Sequence, residues 1–299
     1  MHTALSMKEL GDVSYFLGIS VTKSVHGYFL SQSKYALDIL SKAGMLNCKS
    51  TASPISTKQP ALSSSASFAQ PSLYRSIVGA LQYLTITRPN LAFAVNQVCQ
   101  HMQDPSIDHF AQVKRILRYI QGTLAHGLQF TRGSFTLNAY VDSDWAGDPF
   151  NRRSTTGYCV FLGPNIISWS AKKQPTVARS STEAEYIAIA QAAAELAWLR
   201  MLLTGLGINT FVSPTLWCDN LSTISLASNP VFHARTKYIE VDYHYIREQV
   251  VAKNLVLQHI SSTDQVDDVL TKPLSSTRFI YLQSKLMVSP RSHLLEGGY

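Results

Sequence analysis

The sequence predicts an α/β fold: a mixed five-stranded sheet flanked by helices, preceded by a mostly helical region and a β-hairpin. Three observations predict it. Beyond Gly133, three short apolar runs separated by tight turns read as an antiparallel meander. Helix, strand, helix, strand and helix follow in that order, which builds a mixed sheet with helices on its faces. Between Pro71 and Gly122 apolar residues recur at helical spacing, and near the N-terminus two strand-like runs flank a glycine turn.

The 299 residues provide material for about two domains. A hydrophobic fraction of 45% with 15% charged residues reads as folded rather than disordered. No run of about 18 apolar residues occurs, so no membrane partner is expected. The start, Met1-His-Thr-Ala-Leu-Ser-Met-Lys-Glu, lacks the charged-then-apolar layout of a secretory signal, so an intracellular protein, not a secreted one, is expected. Cys48, Cys99, Cys159 and Cys218 lie far apart without a CxxC pair, which argues against a zinc site and fits a reducing compartment. A net charge of +7 suits a polyanionic partner without demanding one.

In chain order, Tyr15 to Val21 and Gly27 to Leu30 form the expected hairpin. A helix capped at Ser31 or Ser33 carries Tyr35, Leu37, Ile39 and Leu40 and stops near Gly44. The Ser/Thr/Pro-rich residues 49–70 read as a flexible linker. Tyr74, Ile77, Val78 and Leu81 then fall at i, i+3, i+4 and i+7, a core-facing stripe. Arg88-Pro89 breaks it, and a second helix carries Leu91, Val95 and Val98. In a third, Val113, Ile116, Leu117 and Ile120 form the stripe, while Lys114, Arg115 and Arg118 share the other face. That basic face is open to two readings, a phosphate contact or plain solvation.

The strands of the meander are 135–143, Thr156 to Leu162 and Asn165 to Ser170. Ser180-Ser-Thr-Glu183 is a capping box that opens the longest helix, running to about Leu203, and Glu183 is assigned to that cap. A strand, Thr215 to Cys218, ends in Asp219. Helices Leu221 to Ser228 and Glu240 to Val251, a strand Leu255 to Ile260 and a helix Thr263 to Leu270 complete the pattern. Trp145 and Trp169 are read as core residues, and the nine histidines show no metal-ligand spacing.

Acids gather at element ends. Asp142 ends the first strand of the meander and Asp219 the fourth; they become neighbours if those strands pair in parallel, where open α/β sheets place their sites. Carboxylates brought together repel and raise one another's pKa unless divalent cations lie between them, and Mg²⁺ prefers such hard oxygen ligands. Two Mg²⁺ ions about 3.5–4 Å apart serve in-line phosphodiester hydrolysis. Asp144 is assigned a supporting or solvated role beside them.

The runs Val-Asp142-Ser-Asp-Trp-Ala-Gly, Arg-Ser-Thr-Thr-Gly, Ser-Ser-Thr-Glu-Ala-Glu185-Tyr, Leu-Trp-Cys-Asp219-Asn and Asp-Gln-Val-Asp-Asp268-Val-Leu-Thr-Lys-Pro resemble, in this order, the ribonuclease H domain of copia-type retrotransposon Pol polyproteins. Upstream, Leu10-Gly-Asp-Val-Ser-Tyr-Phe-Leu-Gly18, Tyr28-Phe-Leu-Ser-Gln32 and Tyr74-Arg-Ser-Ile-Val-Gly-Ala-Leu-Gln-Tyr-Leu84 resemble the end of that family's reverse transcriptase and its connecting region. The resemblance implies a ribonuclease H-like domain over 133–276 and a C-terminal tail over 277–299. It also implies a remnant of the reverse transcriptase palm over 1–48 and a thumb or connection region over 71–132. It implies hydrolysis of the RNA strand of RNA–DNA hybrids within retrotransposon reverse transcription. Asp142, Glu185, Asp219 and Asp268 would be the metal-binding catalytic quartet for two Mg²⁺ ions, with Mn²⁺ as a substitute.

A hybrid is recognised by shape, phosphates and 2′-hydroxyls. Arg152, Arg153, Lys172, Lys173 and Arg179 are the expected phosphate contacts, and the rest of a reverse transcriptase is a further expected partner. The expected setting is a cytoplasmic virus-like particle or the nucleus. The family's paired polymerase aspartates precede the hairpin, so polymerase activity is not expected of these residues. Asn90 stands for a common aspartate, Tyr238 for a histidine and Asp267 for a small residue; the loop Ser261 to Gln265 lacks the histidine that assists turnover in cellular ribonucleases H. The competing expectation is a non-catalytic nucleic-acid-binding relic, prompted by a hairpin cut from its sheet and left with an exposed edge.

Overall fold

An isolated hairpin buries too little apolar surface to be stable, and in this fold the N-terminal hairpin recruits two further strands. A computed structural model describes residues 11–25, 27–57, 66–208, 210, 212–228 and 240–291; Tyr238, singled out above, lies outside them. The chain forms β1 (Tyr15–Phe16), β2 (Ile19–Ser24), β3 (Gly27–Ser31) and α1 (Ser33–Lys42). Helix α2 (Pro71–Leu84), a 3-10 turn at Pro89–Leu91, α3 (Ala92–Cys99), α4 (Ile107–Gly122) and β4 (His126–Thr131) follow. Then come β5 (Leu137–Asp144), β6 (Thr155–Leu162), β7 (Asn165–Lys173), α5 (Ser181–Gly205), β8 (Thr215–Cys218) and α6 (Leu221–Ser228). The last elements are α7 (Glu240–Val251), β9 (Val256–His259), α8 (Asp268–Thr271), α9 (Ser276–Lys285) and β10 (Val288–Pro290).

Two five-stranded sheets result, in the orders β1-β2-β3-β4-β10 and β7-β6-β5-β8-β9. In the second, β5–β6 and β6–β7 are antiparallel, while β5–β8 and β8–β9 are parallel. This is the mixed sheet expected from the element order. Alternation along the strands serves two apolar cores. Leu137, Ala139 and Val141 of β5 with Val160 of β6 face α5, together with Tyr243 and Ile246 of α7. Cys159, Phe161 and Ile166 on the opposite face join a cluster containing Ile77, Val95, Ile116 and Leu282. That cluster runs without a break across the boundary expected at 132/133, so the helical region is the cover of the sheet's second face.

Three segments depart from the sequence reading. Strand β4 pairs with β3 in the register Leu30↔Leu128, so this edge of the hairpin is closed rather than exposed. The described part of the segment read as a C-terminal tail, up to residue 291, is packed: α9 buries Phe279 and Leu282, and β10 pairs Val288 with Leu128. In the segment read as a flexible linker, Ser53 is buried and its hydroxyl accepts from Arg115 Nη2 at 3.2 Å, so the described part of 49–57 is docked on α4. The same bond takes Arg115 out of the basic face of that helix.

Arg88, read as the break between two helices, is buried, and its guanidinium donates to Thr123 O at 2.9 Å, Thr123 Oγ1 at 2.8 Å and Asn90 Oδ1 at 3.4 Å. Its cation lies over the Tyr119 ring. Asn90 Nδ2 donates to the Tyr119 hydroxyl, which donates to Gln283 of α9. A buried cation is thus held by neutral acceptors, and burial lowers its pKa from the ordinary value. Helix α5 is long and apolar enough to cross a membrane by composition, but Ala184, Tyr186, Ala188, Ile189 and Leu196 are buried on the sheet, as in a core helix.

Candidate active site

Strand β8 pairs with β5 in parallel, Asn138↔Thr215 through Tyr140↔Trp217. Continuing that register sets Asp142 level with Asp219, at the carboxyl ends of adjacent parallel strands. Val141 O accepts from Gln265 Nε2 at 2.9 Å, which pins the segment ahead of α8 onto β5. That segment is not the helix expected from Thr263: buried Gln265 is spent on β5, and only Asp268–Thr271 is helical. The short helix delivers Asp268 to the strand that carries Asp142.

The four expected ligands fall into two pairs. Asp142 is 2% exposed and accepts from the Thr271 hydroxyl. Lys272 Nζ lies 3.2 Å from Asp142 Oδ2 and 2.9 Å from Asp268 Oδ1, bridging the two acids. Arg278 Nη2 stands 3.3 Å from the other Asp268 oxygen. In the second pair, Glu185 of α5 and Asp219 lie with Cys218 such that one ligand atom of each falls within 4.8 Å of the others. Ser262 Oγ donates to Asp219 Oδ2 at 2.9 Å.

Electrostatics couple the pairs. Burial, then the charges of Asp142 and Asp219, push the Glu185 carboxyl up to about 9. Burial likewise raises Asp142 above the ordinary carboxylate value, against the opposing pull of Lys272 and Thr271. Cys218 Sγ lies 4.0 Å from Glu185 Oε2, and burial raises its pKa, so it stays a neutral thiol. The donor set is therefore four carboxylates, hard oxygen ligands that suit Mg²⁺ or Mn²⁺ better than a soft cation. With no cation between them, burial first and the neighbouring acids second favour the protonated form of Glu185.

Asp144 accepts the Thr155 backbone N–H, and burial raises its pKa to about 7. A Cβ on Gly147 would stand 2.0 Å from its carboxyl oxygen, which accounts for the glycine in Trp-Ala-Gly. Trp145 is not core: it is 52% exposed, and its indole N–H donates to Ala178 O at 3.2 Å. Glu183 caps α5 as expected, with a variation. Its N–H donates to Ser180 Oγ, while its carboxylate accepts from the Arg179 backbone rather than from Ser180.

Among the expected phosphate contacts, Arg152, Arg153, Lys172 and Arg179 have exposed side chains. Lys173 does not belong with them. Its ammonium pairs with Asp148 and donates to Gln100 Oε1 at 2.6 Å, tying the β5–β6 loop to the turn after α3. Burial opposes the Asp148 charge, but Lys173 and the Phe150 and Asn151 amides outweigh it and hold the carboxyl below its ordinary pKa. The sequence reading missed Thr271, Lys272, Arg278 and Ser262. One signal was available: Lys272 lies at i+4 from Asp268, on the same face of a helix.

Strand order and mixed pairing together define a ribonuclease H-like α/β domain. The chain belongs to the retrovirus-related Pol polyproteins of copia-type retrotransposons. It is 47% identical over 285 residues to the retrovirus-related Pol polyprotein from transposon RE2 of Arabidopsis thaliana, a match covering 95% of this chain and 20% of the relative. It thus spans about a fifth of that polyprotein's length. It is 55% identical over 199 residues to an uncharacterized mitochondrial protein of Arabidopsis thaliana, covering 66% of this chain and 83% of the relative. LC11-RNase H1, isolated from compost, is 19% identical over 46% of this chain and 93% of its own, with a TM-score of 0.35. No family model matches.

Proposed function

We propose that the chain hydrolyses the RNA strand of RNA–DNA hybrids in a reaction that depends on divalent cations, as the ribonuclease H part of a retrotransposon Pol polyprotein. The observation that carries this reading is the meeting of Asp142, Glu185, Asp219 and Asp268 at one end of the parallel strand pair. Those carboxylates would hold Mg²⁺ or Mn²⁺. Bound there, the cations would activate water and stabilise charge on the phosphate and the departing 3′ oxygen.

The chain's own residues orient and screen. Ser262 Oγ fixes one oxygen of Asp219, and Thr271 fixes one of Asp142. The raised pKa of Glu185 favours its protonated form, and a cation held beside it would favour the carboxylate. Arg152, Arg153, Lys172 and Arg179 would meet backbone phosphates, which makes cleavage tolerant of sequence. The ion pair of Lys173 with Asp148 argues against that role for it.

The test is cleavage of a labelled hybrid by the wild type and by Ser262→Ala. Loss of the hydroxyl that orients Asp219 is expected to lower cleavage about 10- to 100-fold, with the melting temperature held because the group is exposed. Equal rates would show that the Ser262 hydrogen bond does not orient Asp219 for the reaction.

A further inference from the structure

Two cations face the buried Asp142–Asp268 pair, and they are held differently. The Arg278 guanidinium is anchored by main-chain carbonyls as well as by Asp268: it donates to Thr263 O, to Ser262 O at 3.1 Å and to Gln265 O at 3.4 Å. It is part of the frame that fixes the segment before α8. The Lys272 ammonium has the two carboxylates as its partners among the described residues, at 3.2 and 2.9 Å. Its side chain is 42% exposed, on a four-carbon stem with solvent to swing into.

Asp142 and Asp268 are themselves buried, so without a positive charge between them they would repel in a poorly screened environment. Lys272 supplies that charge. Both Asp268 oxygens are engaged, Oδ1 by Lys272 and Oδ2 by Arg278, so a divalent cation held by both acids would compete with the ammonium that now lies between them.

We propose that Lys272 is a resident counter-cation of the carboxylate cluster: it holds Asp142 and Asp268 together in the metal-free protein and yields its place to an incoming divalent cation, so that it sets the site's metal affinity. This rests on the reading of the cluster as a divalent-cation site. The cluster is thereby kept assembled when metal is scarce, at the cost of a competitor built into the fold. Arg278 cannot do the same, because leaving Asp268 would also break its three carbonyl contacts.

The experiment is calorimetric titration of the full chain with Mg²⁺, beside thermal melts in EDTA, for wild type, Lys272→Met and Lys272→Arg. Lys272→Met is expected to melt lower in EDTA, because two buried acids lose their cation, and to bind Mg²⁺ about tenfold more tightly, because nothing must be displaced. Lys272→Arg keeps the charge and is expected to bind no more tightly than wild type. Should Lys272→Met fail to fold in EDTA, Lys272→Gln carries the same test without the charge. Uncharged variants that bind Mg²⁺ as wild type does, or more weakly, would overturn the competition. A wild type that binds no divalent cation would overturn the functional reading itself.

Discussion

Glu185→Gln is expected to abolish hybrid cleavage and, at the same time, to remove part of the alkaline instability of the metal-free protein. The carboxyl is 6% exposed, and its folded pKa of about 9 lies well above the ordinary 4.5. A group whose pKa rises on folding keeps its proton in the native state over a range where the unfolded chain has lost it. Stability therefore falls as pH climbs from about 4.5 towards 9. At about 1.4 kcal/mol per pH unit, the loss by pH 7 is of the order of 3 kcal/mol at most.

Asp142 and Asp144 add to the slope in the same direction, since both are raised as well. Lys272 works outside this window: its stabilisation is present below its ordinary 10.5 and is lost only above its raised native pKa. Glutamine imitates the protonated acid, so the variant should show a shallower fall in melting temperature between pH 5 and pH 9 in EDTA. Mg²⁺ should flatten the wild-type curve and leave the variant's nearly unchanged. A wild-type melting temperature that does not fall over that range would contradict the account of Glu185.

Asp267→Ala is expected to raise stability by about 1–3 kcal/mol at pH 7, the usual cost of a buried polar group without a partner. Asp267 is 0% exposed, and neither carboxyl oxygen is hydrogen-bonded, although the Cys159 thiol and the Asp142 amide lie within range to interact. Burial, then the Asp142 charge, drive its pKa well above the ordinary value. The side chain is wedged against the sheet: a Cβ on Gly157 would stand 2.2 Å from Asp267 Oδ2. Alanine removes the two unpartnered oxygens from this tight site beside Asp142. Each kcal/mol should appear as about 2–4 °C in melting temperature. Asp267→Asn, which keeps a buried polar group, should give less. A lower melting temperature for the alanine variant would mean that the carboxyl is satisfied after all.

The strand alternation of 135–143, the cap at Ser180 and the stripe of Tyr74, Ile77, Val78 and Leu81 are local patterns, and each marks an element that the structure contains. The parallel pairing that aligns Asp142 with Asp219 is one arrangement that the element order allows, and the register of β5 with β8 supplies it. The long-range contacts were hidden. Strand β10 is three residues ending in proline and exists because Val288 finds Leu128 in β4. Lys173 reads as a loop cation until the fold brings Asp148 and Gln100 to it. Arg88 reads as a break between helices, and its burial depends on Tyr119 in α4 and Thr123 just after it. At the site, Lys272 reaches an aspartate 130 positions earlier in the chain, which only β5 and α8 together reveal.

The central claim is that the four carboxylates form a cation-dependent nuclease site. Its most direct test is incubation of a labelled RNA–DNA hybrid with the protein in Mg²⁺, with and without EDTA, beside Asp142→Asn. The expected result is a cut RNA strand in the hybrid and not in single-stranded RNA. Cleavage should be lost in EDTA and lowered about 10³-fold or more in the variant. A folded protein that binds the hybrid yet leaves its RNA intact in both Mg²⁺ and Mn²⁺ would contradict the account and leave a nucleic-acid-binding relic.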